Sequence, residues 1–172
     1  MRRVLFVDHV DRVLGGAEIN LLELMAEAQR SADWQMACAG REHGPLGQRV
    51  RALGVPMFDY GFGESLNTLR FAGRKFPWSG AFQGWIALRK ASAQLAHILA
   101  RYAPDVVISC AIKDHLATAR AVRKRFVPSI WWVNDLVTPD FFSAPARLAV
   151  RLGASSAEQI VAVSESVASP VR

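Results

Sequence analysis

The chain has 172 residues, with 21 Lys and Arg against 15 Asp and Glu, a net charge of +6; 51% of its residues are apolar and 21% charged. That balance excludes a disordered chain, a collagen-like chain and an acidic tail, and a chain of this size buries about 70% of its unfolded surface without a disulfide or metal staple. Cys38 and Cys110 are the only cysteines and stand far apart, which excludes a disulfide framework and a CxxC metal site. The longest stretch without a charged residue, Phe76–Leu88, has 13 residues and contains Pro77, Gly80 and Gly84, whereas a membrane span needs about 20 largely apolar ones. The apolar run at the N-terminus ends at Asp8, too soon for a secretory signal. The expectation is a cytoplasmic protein with reduced thiols.

Short β-rich runs alternate with segments of helical period. Arg3–Val7 is a continuous apolar run, as in a strand covered on both faces, and Leu21, Leu22, Met25 and Ala28 then recur at helical spacing after Gly15-Gly16. Trp34–Ala39 is a second strand. Leu46–Leu53 reads as a short helix stopped by Gly54 and Pro56, and Val55–Tyr60 as a third strand. Residues 61–82 read as a long irregular insert with aromatic and basic residues, of the kind that is usually functional in a compact domain. From Gln83 the helical period returns, with Leu88, Ala91, Leu95, Ile98, Leu99 and Tyr102 on one face. Asp105–Cys110 is the fourth strand. Asp114 has the character of an N-cap, for a helix whose apolar face is Leu116, Ala119, Val122 and Phe126. Ser129–Val133 is the fifth strand, Thr138-Pro139-Asp140 a helix start, and Ile160–Val163 the sixth strand, with Ser164 capping a further helix.

Six strands alternating with helices indicate a Rossmann-like α/β fold, an open parallel sheet with helices on both faces. Ligands of such sheets sit beyond the carboxyl ends of the strands, so the residues just after each strand are the ones that bear on function. Gly15-Gly16-Ala17-Glu18 opens the first helix there, where two glycines let backbone N–H groups approach an anion such as phosphate. A plain glycine turn with Glu18 as a first-turn acid also fits. GxGxxG and GxxxxGK[ST] are both missing, and no lysine follows the fifth strand as a phosphoacceptor domain with Asp8 or Asp59 would require. His9, His43, His97 and His115 are scattered, so no metal constellation is visible.

RRVLFVDHVDRVLGGAEINLLELMAEA resembles the first strand, GG loop and first helix of the family-4 retaining glycosyltransferases of the GT-B fold. REHGPLGQRVRALGVPMF, PDVVISC, IWWVNDL and QIVAVSESV follow in the family's order, so the resemblance runs from Arg2 to Val167. It implies that residues 1–172 are a single N-terminal, acceptor-side domain, one half of a GT-B architecture that lacks its C-terminal donor-binding domain and is inactive alone. The activity implied is metal-independent transfer of a sugar, with retention, from a UDP- or GDP-linked donor to a glycan or lipid-linked acceptor, as in cell-surface polysaccharide synthesis. The nucleotide sugar is then a substrate, with no separate cofactor. Gly15 and Gly16 would face the donor diphosphate. Asn134 stands where the family commonly has a histidine near the donor sugar, and Asn134 and Asp135 are the catalytic candidates; Asp135 also fits a loop carboxylate at a helix entry. Glu18, Lys113, His115 and Ser164 are acceptor-side candidates, though His115 also fits a solvent-exposed histidine at a helix start.

Arg70, Arg74, Lys75 and Trp78 of the insert suit an acceptor lip or an anionic membrane surface, at which the protein would sit peripherally on the inner face. Arg120, Arg123, Lys124 and Arg125 suit a solvated helix end. The charges are dispersed and no nucleic-acid motif is present, so nucleic acid is not expected. Two further readings remain open: a non-catalytic module that holds a phosphorylated ligand, and a peripheral membrane adaptor.

Overall fold

Arg2–Val7 (β1) becomes the middle of a sheet because its side chains from Val4 to Val7 are apolar on both faces. Leu5 and Val7 enter one core cluster, Val4 and Phe6 another. In the computed structural model, which describes residues 1–10, 15–63, 78–123 and 125–168 (backbone only for 78–81), six parallel strands lie in the order β3-β2-β1-β4-β5-β6. The others are β2 (Trp34–Gly40), β3 (Met57–Asp59), β4 (Val106–Ser109), β5 (Ser129–Val133) and β6 (Gln159–Ala162). The helices are α1 (Gly16–Ala28), α2 (Pro45–Ala52), α3 (Trp78–Tyr102), α4 (Ile112–Val122), α5 (Ala144–Ala154) and the single turn α6 (Glu165–Ala168). The architecture is the expected Rossmann-like α/β fold.

The apolar stripes decide which face each helix covers. Leu21 and Met25 of α1 and Leu46 and Val50 of α2 meet Val4, Phe6, Met36 and Cys38. On the opposite face Ala91, Leu95, Ile98 and Leu99 of α3 meet Leu5, Val7, Ala37 and Val107. A side chain of this kind, moved from water into such a core, contributes about 1.5–3 kcal/mol. The third cluster joins α4 and α5 to Trp131 and Val133 of β5. The β6 edge is less covered: Ile160, Val161 and Val163 are exposed.

Several expected boundaries move. Helix α3 begins at Trp78, so residues 78–82 of the expected insert are helical; residues 64–77 lie outside the described set. Asp114 is not the N-cap of α4. Ala111 is, and Asp114 sits inside the first turn, buried. Phe126 is not on the buried face of that helix, because the chain turns left-handed there (φ 54) and leaves the ring 94% exposed. Thr138-Pro139-Asp140 forms a turn, with the Phe142 N–H donating to the Thr138 carbonyl, and the helix starts after Ser143 with Pro145 in its first turn.

Gly40 closes β2 against the end of β1. A Cβ added there would stand 2.4 Å from the Asp8 carbonyl oxygen. Gly40→Ala is therefore expected to push the end of β1 aside and to cost about 1–3 kcal/mol, as overpacking does; urea unfolding measures it, and an unchanged midpoint would contradict the tight approach.

Candidate functional site

The strand order reverses between β1 and β4, so the loops leaving these two strands part and open a crevice at their carboxyl ends. Asp8 and His9 follow β1 directly, and Asp114 lies just after β4. One carboxylate oxygen of Asp114, Oδ2, accepts the His9 backbone N–H at 3.0 Å and lies 2.9 Å from His9 Nδ1. Asp8 Oδ1 accepts the Val10 N–H at 2.9 Å. Both carboxyl groups are buried, at 3% exposure for Asp8 and 0% for Asp114. The His9 ring stands edge-on to Phe62 at 5.0 Å and keeps 12% of its side chain exposed.

Burial shapes the electrostatics of this cluster. It raises the pKa of Asp8 to about 7, with the charge of Asp114 adding to the effect. Burial alone would lower the pKa of His9, but the Asp114 charge and hydrogen bond, with help from Asp8, leave it above the usual value. Burial, then Asp114, push the phenol of Tyr60 well above its usual pKa, so it stays protonated. Among the described residues neither the Tyr60 hydroxyl nor Asp114 Oδ1 makes a hydrogen bond of good geometry. With Asp114 accepting from Nδ1–H, the neutral His9 ring presents its basic lone pair at Nε2. Asp8, His9 and Asp114 also offer one potential metal-ligand atom each, all within 4.8 Å of one another.

The other expected site residues are placed as follows. Gly15 is the N-cap of α1, and its N–H donates to Glu18 Oε2 at 3.1 Å, so the glutamate occupies a donor that an anion would use. Nothing among the described residues lies within 4 Å of a Cβ built on Gly16. Glu18 acts electrostatically on Asp8 and on Asp135, and Lys113 on His9. Asp135 accepts the Ile112 N–H at the start of α4, and its partly desolvated position raises its pKa. Asn134 donates to the carbonyls of Cys110 (3.1 Å) and Trp132 (3.2 Å), tying the ends of β4 and β5 together. Ser164 caps α6, 2.8 Å from the Ser166 hydroxyl, and is exposed.

His115 is neither a crevice contact nor an exposed helix-start residue. It is 1% exposed, stacked 4.8 Å from Trp131 at 8°, and joined through Nδ1 to Ser109 Oγ at 2.7 Å. Burial lowers its pKa to about 4. Arg70, Arg74 and Lys75 lie outside the described residues, as does Lys124, and Trp78 is the first residue of α3.

The sequence does not announce the His9–Asp114 pair or the burial of Asp8 and Tyr60 within reach of its charge. Asp8 and His9 stand at the first strand end and Asp114 close to the fourth. Only the adjacency of β1 and β4, set by strand order, makes that signal meaningful.

No protein-family model matches the sequence, and no curated protein matches it. Solved structures do. HepE of Anabaena, crystallised with UDP, is 17% identical with a TM-score of 0.72, over 99% of this chain and 40% of that one. MurG of Acinetobacter baumannii is 13% identical with a TM-score of 0.62, over 94% and 41%. A putative UDP-N-acetylglucosamine 2-epimerase of Listeria monocytogenes is 10% identical with a TM-score of 0.63, over 99% and 41%. The likeness is one of fold, and it matches one domain of GT-B glycosyltransferases. The chain spans about two fifths of the length of these structures. No helix among the described residues is long and apolar enough to cross a membrane.

Asp8 holds its proton to about pH 7 in the folded protein, against a usual 3.8. The folded state therefore binds more protons than the unfolded state between those values, and ionisation of Asp8 destabilises the fold as pH rises through that window. Relative to Asp8→Asn, the unaltered protein is expected to lose stability steadily from about pH 4 to about pH 7. Urea unfolding across that range checks the slope, and parallel pH profiles would contradict the buried carboxyl.

Proposed function

We propose that this chain is the N-terminal, acceptor-side half of a glycosyltransferase that moves a sugar from a nucleoside diphosphate donor to a hydroxyl of a glycan or lipid-linked acceptor. The observation that carries the reading is the His9–Asp114 pair at the crevice where β1 and β4 part. An acceptor hydroxyl sheds its proton as it attacks the anomeric carbon. His9 Nε2 is the atom to receive it, while Asp114 fixes the ring tautomer and stabilises the imidazolium that forms. As the bond to the diphosphate breaks, negative charge grows on the leaving oxygens. The N–H groups at the start of α1, bared by Gly15 and Gly16, suit that charge once the Glu18 carboxylate turns away from Gly15. The open space over Gly16 supports this use, since no packing among the described residues demands a glycine there. The HepE structures with UDP and UDP-glucose, and SsfS6 of Streptomyces with thymidine diphosphate, support a nucleoside diphosphate ligand for the fold.

No metal ion enters these steps, and the nucleotide sugar is a substrate. The sequence resemblance to family 4 implies retention, whereas a histidine–carboxylate base suits a single displacement with inversion; proton NMR of the product anomer separates the two. Epimerisation of a sugar nucleotide is the second reading, favoured by the Listeria fold neighbour; it yields an altered sugar nucleotide with no acceptor present.

Residues 1–172 alone are expected to transfer no sugar. In the complete enzyme, His9→Ala and Asp114→Asn should each lower kcat roughly 10²–10⁴-fold, the usual size of a general-base contribution. Undiminished transfer by His9→Ala, from a panel of UDP- and GDP-sugars, would sink the assignment. Gly16→Val should leave thermal unfolding within a few degrees of the parent and weaken donor binding strongly; normal donor binding would remove the phosphate role.

A further inference from the structure

The histidines are scattered in sequence, but the fold gives one of them two carboxylate neighbours. Asp8, His9 and Asp114 each offer one ligand atom, a carboxylate oxygen or an imidazole nitrogen, and the three atoms lie within 4.8 Å of one another. In a tetrahedral zinc site with bonds of about 2.0–2.2 Å, ligand atoms stand about 3.4 Å apart. His9 Nδ1 and Asp114 Oδ2, at 2.9 Å, are already close to that spacing. The Asp8 oxygen then has at most about 1.4 Å to close. Two carboxylates with one imidazole are a mixed donor set that suits zinc; calcium and magnesium prefer six or more oxygens.

A second residue points to a ligand at this place. Tyr60 is 1% exposed, and among the described residues its hydroxyl makes no hydrogen bond of good geometry. Its ring stands 5.9 Å from Phe62, which stands 5.0 Å from His9, and the hydroxyl lies within reach of the Asp114 and Asp8 charges. Asp114 Oδ1 is buried and likewise unpartnered. Buried polar atoms left in this way are costly. A metal ion carrying one water answers both: the ion draws on the carboxylate, and the water gives the phenol a partner. The part of the His9 side chain that remains exposed opens the cluster to solvent.

We propose that Asp8, His9 and Asp114 form a zinc site that switches the crevice off. Three protein ligands and one water complete four-coordination. Zinc at Nδ1 takes the place of the proton shared with Asp114, and the proton of the neutral ring moves to Nε2. Nε2 is the atom assigned to receive the proton of the acceptor hydroxyl, so zinc binding and proton acceptance exclude each other. The ion is an inhibitor and takes no part in the transfer. The switch rests on the sugar-transfer reading; the site does not.

Calorimetric titration of the 172-residue chain with zinc chloride should show one ion per chain, and magnesium or calcium chloride should show no binding. Cobalt(II) should give the intense visible absorption of a four-coordinate ion. His9→Ala and Asp8→Asn should each weaken zinc binding roughly tenfold or more, and Tyr60→Phe, which removes only the partner of the bound water, roughly tenfold. His43→Ala with His97→Ala, both exposed, should leave it unchanged. Urea unfolding verifies that the variants fold, and the cobalt spectrum of the unaltered chain tests the site whatever the variants do. No zinc binding, a six-coordinate cobalt spectrum, full affinity in His9→Ala, or loss of binding in the His43 and His97 variant would each overturn the site and leave the sugar-transfer reading standing. In the complete enzyme zinc should halt transfer, and EDTA should restore it. Undiminished transfer by the zinc-loaded enzyme would overturn the switch, and the base role of His9 with it.

Discussion

The Asp114 carboxylate is buried completely, and the groups it touches organise the crevice. A buried carboxylate is costly unless its oxygens are hydrogen-bonded. Here Oδ2 receives both the backbone N–H and the ring Nδ1 of His9, which pins the chain leaving β1 to the helix that follows β4. The same charge contributes to the raised pKa of Asp8 and Tyr60, supports the protonated form of His9, and partly opposes the lowering of Lys113 and His115. Helix α4 can carry such a residue inward because Ala117, Ala119 and Ala121 let it sit close against its neighbours. Asp135, accepting from Ile112, satisfies an otherwise open donor at the same helix start.

This arrangement separates two jobs. One set of side chains holds the strand ends in register: Asn134 bridges β4 to β5, and His115, stacked on Trp131 and bonded to Ser109, fills the space between α4 and β5. The other set faces outward from the same ends: the partly exposed His9, the Glu18 carboxylate and the bare backbone at Gly16. A polar residue beside a strand end is therefore not a site residue by position alone. What divides the two sets is whether the donors and acceptors are already satisfied from within.

The strands were legible because a run covered on both faces must be apolar throughout. Ser129–Val133 is observed with the expected limits, and the others differ by a residue or so at an end, or by more at Met57–Asp59. Helix starts were less legible. Asp114 has the local chemistry of a cap, yet it is taken up by His9 from 105 positions away, and Ala111 caps the helix instead. Thr138-Pro139-Asp140 has a fine local start signal, but the chain makes a turn before committing to the helix at Ser143. The glycine-led end of α1 could be read because its parts are contiguous. The His9–Asp114 pair could not, because its two halves are joined only by the order in which the strands assemble.

The two cysteines acquire a meaning from this assembly that their spacing did not suggest. Cys38 and Cys110 are fully enclosed beside the central strand, and burial, with the nearby Asp8 and Asp114 charges, pushes both thiols far above their usual pKa. Thiolate is the reactive form, so neither sulfur is available to oxidants or alkylating reagents while the sheet is closed. Their chemistry is tied to the opening of β1 and its neighbours, and the rate at which they modify becomes a clock for the rarest fluctuation of the fold: exposure of its own centre.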